Sequence, residues 1–80
     1  MKQVDIKISG KVQGVFFRAE TRAKAHELGI KGWVKNTEDG GVEIMAQGEE
    51  AQLAEFLAWC GRGPEYSRVD KVEGSVKYFV

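Results

Sequence analysis

The sequence is short of most things that disulfide stapling, metal chemistry or membrane insertion require. Cys60 is its single cysteine, so no intramolecular disulfide can brace the fold. A lone thiol suits a reducing compartment. His26 is the single histidine, and His, Cys, Asp and Glu nowhere recur at metal-ligand spacing. No apolar run approaches the roughly 20 residues of a spanning helix, and no apolar leader follows Met1. Cytoplasm is therefore the expected location, with no membrane partner. Net charge is missing too, because 12 basic and 12 acidic residues cancel. Residues 37–61 hold no Lys or Arg at all. This balance argues against a nucleic-acid binder that relies on bulk charge. The nucleotide signatures GxxxxGK[ST] and GxGxxG are likewise absent.

What is present fits one small domain. Eighty residues leave no room for a second core. Residues 3–9 (QVDIKIS) alternate, which predicts a strand with Val4, Ile6 and Ile8 on its buried face. Residues 19–28 (AETRAKAHEL) are helix formers, with Gly29 at the stop. Residues 30–36 predict a second strand, EDGG at 38–41 a hairpin turn, and residues 42–47 a third strand. Leu53, Phe56, Leu57 and Cys60 then fall at i, i+3, i+4 and i+7, one apolar stripe of a second helix over 49–60. Arg62, Gly63 and Pro64 end it. Residues 67–73 predict a weak or bulged strand, and 77–80 a short closing one.

The order is β-α-β-β-α-β. Two helical faces and one sheet face must cover each other, which predicts an α+β, ferredoxin-like two-layer sandwich with both helices on one side of an antiparallel sheet. The closing strand is shortened. The first β-α-β unit makes its two strands parallel, so the loop after the first strand shares an end of the sheet with Asn36 at the tail of the second.

That loop reads GKVQGVFFR over residues 10–18. Gly10 and Gly14 allow backbone angles at which successive N–H groups converge. A helix N-terminus follows, and Arg18 offers a planar fork matched to two phosphate oxygens. Spacing alone leaves phosphate or carboxylate binding open beside a merely structural turn.

GKVQGVFFR together with GWVKNTEDGGVE, residues 32–43, resembles the two signature stretches of the acylphosphatase family. Gly10, Val12, Gln13, Gly14, Val15, Phe17 and Arg18 match the first motif. Gly32, Trp33, Val34, Asn36, Gly40, Val42 and Glu43 match the second. The resemblance covers most of the chain and implies the sandwich already inferred. It also implies hydrolysis of the mixed anhydride between a carboxylic acid and phosphate, by a monomer that needs no cofactor and no metal. By resemblance, Arg18 and the backbone loop Gly14, Val15, Phe16, Phe17 and Arg18 hold the phosphoryl group, while Asn36 positions water. The partners so implied are small acyl phosphates and inorganic phosphate, with no nucleic acid. The family usually closes on a strand of the type FxIxR, whereas this chain reads GSVKYFV. That departure bears on edge protection rather than on the site.

The remaining candidates read as structural. Gln13 and Lys11 are expected to be loop polars, Thr37 a support for Asn36, and His26 and Cys60 inert. Trp33 and Trp59 are expected to pack. Two rival functions remain: an acylphosphatase-like module that binds carbamoyl phosphate without turnover, and a ferredoxin-like nucleic-acid binder. The second lacks the aromatic, basic strand it needs, since the third strand reads VEIMAQGE.

Overall fold

A computed structural model of the chain describes residues 2–14, 16–64 and 67–78. They form strand β1 (Lys2–Lys11), helix α1 (Phe17–Glu27), strands β2 (Lys31–Asn36) and β3 (Val42–Gly48), helix α2 (Glu50–Arg62) and strand β4 (Arg68–Tyr78). The sheet order is β2-β3-β1-β4, with every neighbouring pair antiparallel. This is the predicted two-layer α+β fold.

Alternation in the sequence becomes burial in the sheet. Val4, Ile6 and Ile8 of β1 and Val42, Ile44 and Ala46 of β3 are all buried, and they share one core with Leu53, Phe56 and Cys60 of α2. Phe17 brings α1 into the same core. Thr21 is the one buried polar residue, and its hydroxyl has no hydrogen-bond partner among the described residues.

Three features depart from the sequence reading. Helix α1 starts at Phe17, two residues earlier than its helix formers suggest. The buried Phe17 ring anchors that first turn, so tertiary packing overrides local propensity. Residues 68–78 form one continuous strand rather than a weak strand and a separate short one, and residues 79–80 lie outside those described. Continuous pairing with the central β1 supplies what the irregular apolar spacing does not. The bulge that the odd Val69 and Val72 spacing predicts is present: between Ser9 and Gly10 of β1 the register shifts, with Asp70 of β4 as the extra residue. Finally, Trp33 does not pack inward. It is 48% exposed, with the Lys35 ammonium 5.1 Å from its ring centroid. Trp59 does pack, with its ring centroid 6.3 Å from both Phe17 and Phe56.

Gly10 has a different task from the one its sequence position suggests. It lies within β1, at φ 134°, where β4 comes so close that a Cβ would collide with the Arg68 carbonyl. Close backbone approach at the bulge, rather than loop curvature, requires this glycine.

Candidate active site

Both halves of the site are set by strand register. Ile8 of β1 pairs with Val42 of β3, and Val42 pairs with Asn36 of β2. Since β1 and β2 both run antiparallel to β3, they are parallel to each other. The chain thus leaves β1 at the end of the sheet where Asn36 stands.

From there the loop is pinned by one side chain and bent by two backbones. Val12 is buried and holds the loop to the core. Gly14 turns through φ 73° with open space around it, as loop curvature demands. Phe16 adopts φ 60° and ψ 19°, a left-handed conformation unusual for a residue with a side chain, and its ring is 82% exposed. Val15 between them lies outside the described residues. Phe16 is also the N-cap of α1. Among the described residues no side chain caps that helix, which leaves the N–H groups of its first turn without a cap.

A small cavity of about 270 Å³ sits against this helix start. Gly14, Phe16, Phe17 and Arg18 line it from one side and Asn36 from the other, with Val12 and Ala19 completing it. Arg18 lies in the first helical turn, exposed, where a cation is mildly disfavoured by the helix dipole. An anion in the cavity would be drawn by the guanidinium and by the N–H groups together.

The residue that sequence reasoning undervalued is Gln13. Its side-chain amide donates to the carbonyls of Thr37, at 2.9 Å, and Gly41, at 2.8 Å. Those carbonyls flank the hairpin turn that begins right after Asn36. Gln13 is therefore a clamp that fixes one half of the site against the other, and both its N–H donors are spent on it. Nothing in the loop sequence signals this, because the acceptors lie 24 and 28 residues away.

The turn has its own bracing. Thr37 hydroxyl donates to Asp39, and Lys7 Nζ donates to Thr37 Oγ1 at 3.1 Å and to both Asp39 carboxylate oxygens at 3.0 Å. Gly41 N–H points at Thr37 Oγ1, 3.1 Å away. The Thr37 hydroxyl, and then Lys7, hold the Asp39 carboxyl well below its usual range, at about 2. Asp39 is thus committed to the turn. Thr37, expected to support Asn36, makes its bonds within the turn that follows it and to Lys7. His26 and Lys11 are exposed. Burial pushes the Cys60 thiol up to about 12. Among the described residues no three His, Cys, Asp or Glu side chains come together as a metal site.

The comparisons with known proteins agree with one another. The acylphosphatase family model matches residues 4–78. An acylphosphatase from Marinobacter nauticus is 57% identical over 65 residues, which is 81% of this chain and 71% of that protein. The crystal structure of acylphosphatase from Bacillus subtilis is similar with a TM-score of 0.96 at 36% identity, over 100% of this chain and 89% of that one. Full-length HypF in its phosphate- and nucleotide-bound form is also similar, with a TM-score of 0.89 at 29% identity, but only 10% of that longer chain is covered. On these likenesses, the chain belongs to the acylphosphatase family and is an enzyme that hydrolyses acyl phosphates to carboxylate and inorganic phosphate.

Proposed function

We propose that Arg18 and the main-chain N–H groups from Val15 to Arg18, in the loop turned by Gly14, hold the phosphoryl group, and that Asn36 orients the attacking water. The observation that carries this reading is the single cavity lined by Arg18, Asn36 and the uncapped start of α1.

The chemistry needs little more. Water oxygen forms a bond to phosphorus as the phosphorus–oxygen bond to the acyl group breaks, and the bonding pair leaves on the carboxylate. A carboxylate departs unprotonated at neutral pH, so no general acid is required. The transition state spreads charge over the equatorial phosphoryl oxygens, where a bidentate cation and preorganised N–H donors act most strongly. The Asn36 amide is not basic. It can align water but cannot take its proton, which passes to a phosphoryl oxygen of the substrate.

On this reading catalysis is independent of metal. Glu38 and Asp39 belong to the hairpin turn, and Glu20, although in the first turn of α1, does not line the Arg18 cavity, so none is grouped with Arg18 as a cation ligand would be. We also read the chain as a cytoplasmic monomer without nucleic-acid or membrane partners. Its net charge of zero speaks against a nucleic-acid partner held by bulk charge.

The testing experiment is phosphate release from acetyl phosphate by purified protein, before and after exhaustive chelation with EDTA. Undiminished turnover is expected. A large loss restored by Mg²⁺ would overturn the metal-free mechanism. The likeness to HypF keeps a binding-only module in view, and phosphate binding without any turnover would favour it.

A further inference from the structure

Besides the concavity at Arg18, two larger ones are formed by described residues. One, on the outer side of the sheet, is lined by Asp5, Lys7, Glu43 and Glu73 among others and shares no residue with the Arg18 cavity. The other, of about 710 Å³, lies between α1 and the edge strand β2, and it has Ala19 in common with the Arg18 cavity. The two spaces are therefore neighbours across a single small side chain.

We propose that this groove is the acyl subsite, receiving the apolar part of the carboxylic acid whose phosphate sits at Arg18. The inference rests on the placement of the phosphoryl group given above. In an acyl phosphate the acyl carbon is joined to phosphorus through one oxygen. With phosphorus held at the start of α1, the acyl chain must leave the small cavity within a bond or two, and Ala19 forms the wall on the side where the groove opens.

The groove has the character such a chain needs. Ala19 and Ala23 stand one turn apart on the same face of α1, and at 1.5 Å per residue they span about 6 Å of wall. Both are short, which leaves the groove open where larger side chains would close it. Val34 of β2 lines it opposite, and Ile44 and Phe56 of the core line it as well. A mostly apolar lining and a volume of hundreds of cubic ångströms are usual for sites that take small organic ligands. Exposed Arg22 and Lys31 also line the groove, and neither is in an ion pair among the described residues. Their charge favours the approach of an anionic substrate along this side.

The test is a series of straight-chain acyl phosphates from acetyl to hexanoyl. Their carboxylate leaving groups are similar in basicity, so a trend in kcat/KM reports the subsite rather than intrinsic reactivity. The wild-type value should rise at least about tenfold along the series, the scale that apolar pockets deliver for added methylenes. Ala23→Phe, which fills the groove from an exposed helix position, should flatten that rise. Inhibition of Ala23→Phe by inorganic phosphate, which reports the Arg18 cavity that Ala23 does not line, should match wild type, and this also shows that the variant is folded. Ala23→Leu should flatten the rise less. A flat wild-type series, or an undiminished rise in Ala23→Phe, would overturn the subsite while leaving Arg18 and Asn36 in their roles. No turnover of any member would overturn the underlying reading and this inference together.

Discussion

Helix α2 begins with a capping box: Gln52 Oε1 accepts the Glu49 N–H at 3.1 Å, and the Glu49 side chain faces the Gln52 N–H in return. Helix α1 begins at a left-handed Phe16 with no side-chain cap. A missing cap typically costs a helix about 1 kcal/mol, and the left-handed backbone adds strain of similar order. The same chain thus satisfies one helix start with its own side chains and leaves the other for something else to satisfy. The second start is the one that faces Arg18, Asn36 and the small cavity. Strain and unmet hydrogen bonding coincide there, as the proposed phosphoryl-binding role of those N–H groups requires.

The sharpest way to break the comparison is to remove the cation beside the uncapped start. Arg18→Ala should fold and lose roughly 10²–10³-fold in kcat or more, the usual scale for deleting one preorganised charge stabiliser. Arg18→Lys should recover little, since a point charge does not reproduce the fork. Turnover within a few-fold of wild type in steady-state assays would show that α1 is uncapped for some other reason.

Asn36→Ala tests whether both sides of the cavity do the same work. Its kcat should fall far more than its affinity for inorganic phosphate as an inhibitor, because water rather than phosphate is what it handles. Equal losses in the two would move Asn36 to the phosphate-gripping side.

The next effect is smaller and concerns how the halves are joined. Gln13→Ala removes two hydrogen bonds to carbonyls, which should lower stability by about 1–2 kcal/mol. It should also reduce kcat by roughly tenfold through misplacement of Asn36 relative to Arg18. Gln13→Glu should behave alike, as a carboxylate cannot donate to those carbonyls. A fully active Gln13→Glu would refute the clamp.

The smallest effect belongs to the other helix. Gln52→Ala should cost about 1 kcal/mol, read as a melting temperature lower by roughly 4–8 °C. Its kcat should not change. A kcat effect at α2 comparable to that of Gln13→Ala would erase the distinction between the two helix starts.

Much of this was legible in the sequence, for identifiable reasons. Alternation placed Val4, Ile6, Ile8, Val42, Ile44 and Ala46 inside, because a strand buried on one face has a period of two. The parallel relation of β1 and β2 brought the loop and Asn36 to one end without any contact information. Three things were out of reach. Arg18 was read into the loop, since only the burial of Phe17 draws the helix start back over it. Gly10 was given to the loop, since the close approach of β4 involves residues nearly 60 positions later. Gln13 looked like an ordinary loop polar, since a side-chain bond to a backbone carbonyl leaves no mark on the partner's residue type. Local pattern carries the elements, and nonlocal packing carries their exact ends and braces.

The buried cysteine has a consequence in redox terms. Cys60 is 0% exposed at the inner face of α2, and its thiol is pushed up to about 12. At neutral pH the unreactive thiol form therefore dominates, and burial seals it from reagents. Oxidants and alkylating agents therefore have no purchase on this thiol in the folded protein. Its sulfur becomes reachable only when the core opens, so the rate at which Cys60 is labelled is a clock for unfolding that runs independently of the active site.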